Sequence, residues 1–170
     1  MAMAEVPEIY LQPCEWKLVR TPTIVKTVLG SCVAITFRAP RLGIGAMCHP
    51  MLPHRALRSR LHQDSAAAGR YVDSIIDELA RKLDKLGASR GEIEVKLFGG
   101  ADVLATAMKG ASVGKMNADT AIRVLEEEGF RLVASRLGGS RGVFIEFHTD
   151  TGEVLLRRLN HMDVATLART

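Results

Sequence analysis

Long apolar runs are missing from this 170-residue sequence. No stretch approaches the ~20 unbroken apolar residues of a membrane helix. The first twenty residues, interrupted by Glu5, Pro7, Glu8, Pro13 and Glu15, lack the apolar centre of a secretory leader. A cytoplasmic protein with no membrane insertion is therefore expected. Cysteine is scarce: Cys14, Cys32 and Cys48 leave at least one thiol unpaired. No Cys-x-x-Cys pair or His/Cys cluster has the spacing of a closed zinc site, so neither a disulfide framework nor a structural metal is expected. Nucleotide loops are absent too. There is no GxxxxGK followed by Ser or Thr, and no GxGxxG opens a helix after a strand. Aromatic residues make up 5% of the chain and none interleaves with its arginine-rich stretch. Without a helix-turn-helix, zinc-finger or RNP-like pattern, nucleic acid is not an expected partner.

What is present suits one well-buried domain over 1–170, with a core over about 20–157 and a peripheral N-terminal segment and C-terminal tail. The chain is 47% hydrophobic, long enough for one core and short for two. Its formal charge of +4 is mostly dispersed, because Lys and Arg alternate with Asp and Glu. The exception is the stretch 53–70, where Arg55, Arg58, Arg60, His62 and Arg70 are opposed only by Asp64. It reads either as a solvated connection or as a contact for an anionic protein surface.

Between Thr23 and Phe37 the β-branched residues Ile24, Val25, Val28, Val33 and Ile35 predict two strands broken at Gly30-Ser31. Leu42 to Leu52 predicts another, with Ile44, Ala46 and Cys48 on one parity and Met47 and His49 on the other. A helix is expected over about 66–86, carrying Val72, Ile75, Ile76, Leu79, Leu83 and Leu86 as a 3.6-residue stripe. Asp64 or Ser65 would be its N-cap and Gly87 its C-cap. Ile93, Val95 and Leu97 alternate with charged residues in a strand that stops at Gly99-Gly100. A shorter helix is expected to start after Asn117 as N-cap and to stop at Gly129. Strands over 130–136, 143–147 and 154–157 follow, the last two joined by the turn Thr149-Asp150-Thr151-Gly152. This order predicts an α+β fold, with mixed or antiparallel sheets and two main helices packed on them in a layered sandwich.

Cys32 follows the tight Gly30-Ser31 turn, and His49 ends a strand at Pro50. A thiol past such a turn can project from a sheet edge with backbone N–H groups beside it, which suits a nucleophile and an oxyanion hole. The plainer reading is a small buried core residue, since free cysteine is among the most buried types. His49 is expected at the rim, as a base able to give a thiolate–imidazolium pair, or as a structural histidine. Cys48 has the opposite strand parity and is expected to face packing.

Six segments lie in one order: TVLGSCVAITF (27–37), GIGAMCHPMLP (43–53), GRYVDSIIDEL (69–79), KLFGGADVL (96–104), VGKMNADTAIRVLEEEG (113–129) and LGGSRG (137–142). Together they resemble the chemoreceptor glutamine deamidase (CheD) family. The resemblance implies hydrolysis of glutamine side-chain amides on the cytoplasmic domains of bacterial chemotaxis receptors, without a cofactor. It implies Cys32 as nucleophile, His49 as base and Thr27 as the third polar member. Ser31, Gly99, Gly100, Asn117 and Arg141 would form the oxyanion and binding rim. It also implies contact with a CheC-type phosphatase, so a regulatory adaptor is the competing reading; a cysteine protease or transglutaminase-like enzyme shares only the acyl-thiol logic. Met116 stands before Asn117 where an Arg is expected, and Ser140-Arg141 replaces an Asn-x-x-Arg pattern.

Overall fold

A computed structural model of the chain describes residues 4–55, 68–103 and 112–160. Its strands are β1 (Glu8–Tyr10), β2 (Trp16–Val19), β3 (Ile24–Leu29), β4 (Val33–Ala39), β5 (Ile44–Cys48), β6 (Glu94–Gly99), β7 (Leu132–Leu137), β8 (Val143–His148) and β9 (Val154–Arg158). Helix α1 (Val72–Lys85) lies between β5 and β6, and α2 (Val113–Glu127) between β6 and β7. The strands form a four-stranded sheet in the order β1-β3-β8-β9 and a five-stranded sheet in the order β2-β5-β4-β6-β7. Both sheets are mixed: β1 runs parallel to β3 and β6 parallel to β7, and the remaining pairs are antiparallel. The α+β expectation holds. Among the described residues no helix is long and apolar enough to cross a membrane.

Strand parity sorts the core into two layers. Val33, Ile35 and Phe37 of β4 face the helices together with Ile44, Ala46 and Cys48 of β5, where they meet Ile75, Ile76, Leu79 and Leu83 of α1 and Ala121 and Leu125 of α2. The opposite parity, Ala34, Met47 and Phe98, meets Val25, Leu29, Ile145 and Phe147 of the smaller sheet. The five-stranded sheet is thus covered on both faces, which explains why β4 and β5 read as continuous apolar runs. β3 and β4 are consecutive in sequence yet belong to different sheets. The chain crosses from one layer to the other at Gly30-Ser31-Cys32.

Both helices begin elsewhere than expected. The backbone around Gly69–Tyr71 is recruited by the chain leaving β5, and this breaks the single helix expected over 66–86. Met51 and Leu52 donate their N–H groups to Arg70 O, Val72 N–H bonds Leu52 O, and Tyr71 is extended. Gly69 faces the Cys14 carbonyl so closely that a Cβ there would lie 2.0 Å from the oxygen. The expected caps Asp64 and Ser65 lie outside the described residues. At the far end Gly87 closes α1 as expected, donating to Asp84 O while Ala88 donates to Leu83 O.

Helix α2 starts at Val113, capped by Ser112, whose Oγ accepts the Lys115 N–H at 3.2 Å. Asn117 is therefore not a cap. It sits in the second turn, fully buried. The N-terminal stretch, expected to be peripheral, supplies β1, β2 and the fully buried Leu11. Its strands are three and four residues long, too short for periodicity to reveal.

Candidate active site

The register of β4 and β5 pairs Ile35 with Cys48, and Val33 N–H donates to Pro50 O at 3.3 Å, which extends the ladder past the strand ends. This sets Ala34 opposite His49 and Cys32 opposite Met51. Cross-strand partners share a face, so Cys32 and His49 both turn toward the smaller sheet while Cys48 turns toward the helices. As diagonal neighbours they stand roughly 7–8 Å apart at the backbone. No hydrogen bond joins them among the described residues.

Thr27, on β3 of the opposing sheet, reaches His49 across the interlayer space. Its Oγ1 lies 2.8 Å from His49 Nδ1 and 2.8 Å from Leu11 O. A carbonyl can only accept, so the single hydroxyl proton goes to Leu11 O and the hydroxyl must accept from Nδ1–H. The neutral imidazole then carries its proton on Nδ1, and Nε2 keeps a free lone pair. The backbone of His49 is held as well: its N–H donates to Glu15 O at 3.0 Å and its carbonyl accepts Cys14 N–H at 2.8 Å. His49 is 2% exposed. It is not at the rim: β2 flanks its strand within the same sheet, and Thr27 and the Leu11 carbonyl of the opposing layer meet its ring.

The Cys32 loop is fastened from behind. Ala101 N–H donates to Gly30 O at 3.0 Å, Gly100 N–H to Cys32 O at 2.9 Å, and Asn117 Nδ2 to Ser31 O at 2.9 Å. Gly99 and Gly100 take φ of 98° and 66°, and a Cβ on Gly99 would lie 2.5 Å from Cys32 O. Only glycine fits such an approach. Gly99, Gly100 and Asn117 are thus buried supports of the loop instead of the rim expected for them, and the Gly100 N–H is already used.

Ser31 and Cys32 are half-buried at the surface of this loop. Arg141 is exposed on the turn following Gly138-Gly139, which is tied to Gly99 O and Asp102 N–H. Of the arginine-rich stretch, Arg70 is exposed, while Arg58, Arg60 and His62 lie outside the described residues.

Burial favours the neutral form of both the Cys32 thiol and the His49 imidazole. It pushes the Cys32 thiol up to about 11, with the nearby Cys14 adding to the rise and the residue's own backbone N–H opposing it. It pushes His49 down to about 4, against the opposing pull of the Leu11 carbonyl and Glu15. The resting state at neutral pH is therefore thiol plus imidazole, and the expected thiolate–imidazolium pair is not the resting form. A thiol, an imidazole with its free lone pair on Nε2, and N–H groups at Ser31 and Cys32 that meet no acceptor on another of the described residues can carry out acyl transfer.

Sequence reasoning missed Leu11, Glu15 and the structural use of Asn117. Nothing local marks the first two. Asn117 does carry a signal, since it shares a helical face with the buried Ala121 and Val124.

Comparison with known proteins extends the geometry. The family described as CheD chemotactic sensory transduction matches residues 51–158. A probable chemoreceptor glutamine deamidase, CheD 2, of Geobacter sulfurreducens is 39% identical over 94% of both chains. A probable chemoreceptor glutamine deamidase of Maridesulfovibrio salexigens is 38% identical over 94% of this chain and 96% of its own. The chemoreceptor glutamine deamidase CheD of Thermotoga maritima is 32% identical over 85% of this chain and 88% of its own. These two kinds of match, one over most of the fold and the other extending across Thr27, Cys32 and His49, establish that the chain belongs to the CheD family.

Proposed function

We propose that this protein hydrolyses the side-chain amide of selected glutamines on the cytoplasmic domains of chemotaxis receptors, giving glutamate and ammonia, through a thioester on Cys32. The observation that carries this reading is the Thr27–His49 contact, which supports a proton on Nδ1 and a free lone pair on Nε2 in a side chain whose strand parity matches that of Cys32. The names of the relatives supply the substrate class.

The resting thiol attacks the carboxamide carbon as Nε2 takes its proton, so attack and proton transfer are coupled. The C–S bond forms, and the amide oxygen becomes an oxyanion facing the N–H groups of Ser31 and Cys32. The imidazolium returns its proton to the amide nitrogen as the C–N bond breaks, and ammonia leaves. Water then gives a proton to Nε2 and attacks the thioester carbonyl. The C–S bond breaks, the carboxyl group is complete, and His49 reprotonates the sulfur. Every step is an acid–base or acyl-transfer step, for which the side chains suffice without a cofactor. Arg141, exposed beside the loop, is assigned to the receptor-binding rim, and the site of action is the cytoplasm.

Purified receptor cytoplasmic fragments should release ammonia with this protein and gain about one mass unit per glutamine converted. Cys32→Ala should release none. An inactive wild-type protein that bound a CheC-type phosphatase tightly would favour the adaptor reading instead.

A further inference from the structure

Asn117 is fully buried in the second turn of α2, past the first-turn N–H groups that a cap would serve, and Ser112 already caps the helix. Its Nδ2 donates to two carbonyls, Ser31 O and Met51 O, each at 2.9 Å. Both partners only accept, so the nitrogen must face them, and Oδ1 is left buried without a partner among the described residues. Unpaired polar atoms of this kind are costly, so the side chain is held for what its nitrogen does. One amide ties together the loop that carries Cys32 and the chain two residues beyond His49.

The Ser31 bond also orients a peptide plane. The peptide bonds here are trans, so the carbonyl of one residue and the N–H of the next point in opposite directions. Holding Ser31 O toward α2 turns the Cys32 N–H away from the helix and toward the thiol side. The neighbouring peptide planes are held without Asn117, by Ala101 N–H on Gly30 O and by Gly100 N–H on Cys32 O. Only the Ser31–Cys32 plane depends on a side chain, and its N–H, which faces the Cys32 sulfur, meets no acceptor on another of the described residues.

We propose that Asn117 is a positioning residue that builds the oxyanion hole, fixing the Cys32 N–H toward the developing oxyanion while clasping the loop to the His49 strand. This rests on the deamidase reading. It makes Asn117 act through a backbone N–H and never touch the substrate.

The test separates oxyanion stabilisation from thiol reactivity. Alkylation of Cys32 by iodoacetamide forms a bond at a saturated carbon and develops no oxyanion, whereas deamidation needs one. For Asn117→Ser and Asn117→Ala, kcat on receptor fragments should fall about 10²-fold or more, while KM and the alkylation rate stay within roughly threefold of wild type. Retained kcat would overturn the proposal, as would an alkylation rate that fell in step with kcat. If both variants fail to fold, the wild-type protein decides the matter: the two Asn117 side-chain amide protons should resist hydrogen exchange by NMR, and free exchange would overturn the clasp. Wild-type protein that released no ammonia would refute the deamidase reading, while the exchange measurement still judged the clasp by itself.

Discussion

Thr27 and His49 stand on opposite sheets, and the 2.8 Å contact between hydroxyl and Nδ1 is a polar bridge through an otherwise apolar interlayer. The bridge fixes which imidazole nitrogen is basic, since the hydroxyl proton is already given to Leu11 O. Thr27→Val keeps the shape and removes the acceptor. Its kcat should fall about 10²-fold or more, with a stability loss of about 1–3 kcal/mol from the unpaired Nδ1–H and Leu11 carbonyl. Thr27→Ser should remain within about tenfold of wild type. Ammonia release and urea unfolding check both, and a fully active valine variant would remove Thr27 from the mechanism.

The loop cysteine Cys32 and the buried strand cysteine Cys48 should separate by function. Cys48 packs against the helices with its Sγ 3.8 Å from Ile35 O. Cys48→Ala should keep activity and lose about 1–2 kcal/mol of stability by leaving a small void. Cys32→Ala should lose all activity and remain folded. The reverse pattern in ammonia release would exchange their roles.

Because burial raises the Cys32 thiol to about 11, its alkylation by iodoacetamide should keep rising above pH 9. A plateau near neutral pH would reveal a preformed thiolate and contradict the neutral resting pair.

Acid should destabilise the fold through His49. The folded chain binds the imidazole proton near pH 4, below the ordinary value of 6.5. Between those values the unfolded chain holds the proton and the folded chain does not. The contribution is complete above pH 6.5 and is lost progressively toward pH 4, roughly 3 kcal/mol in all. Urea titrations from pH 7 to 4 should show a shallower loss in His49→Gln than in wild type; parallel curves would refute the assignment.

At Gly100 the backbone is left-handed, φ 66°, and a Cβ would lie 2.5 Å from Gly114 O. Neither backbone has room to yield, so Gly100→Ala should cost about 3 kcal/mol or more. Its thermal midpoint should drop well below that of Gly87→Ala. Gly87 has a similar φ, yet no atom lies within 4 Å of where its Cβ would be.

Much of this architecture was legible in the sequence because strand parity and helix stripes are local. The alternation around Cys48 and His49 separated the two residues correctly, and Gly87 and Gly129 marked real helix ends. The starts of α1 and α2 were not legible, because tertiary contacts set them: Leu52 captures the Tyr71 region, and Ser112 outcompetes Asn117 as a cap. His49 was expected at a rim since Pro50 ends its strand, but Thr27 and Leu11 of the opposing layer meet its ring, a contact that no local pattern announces. The thiol's neutrality follows from burial, which no spacing encodes.

The carbonyl held by Asn117 lies 86 positions earlier in the chain, and the carbonyl that receives the Thr27 proton lies 16 positions before it. Such distant pairings close late when a chain folds, since each must first overcome the entropy of its loop. The sheets that carry these groups pair across longer separations still, Leu29 with Val143 for one, so the site is complete only once both layers have assembled. Recovery of turnover after dilution from urea is then a stricter clock for complete folding than recovery of helical signal.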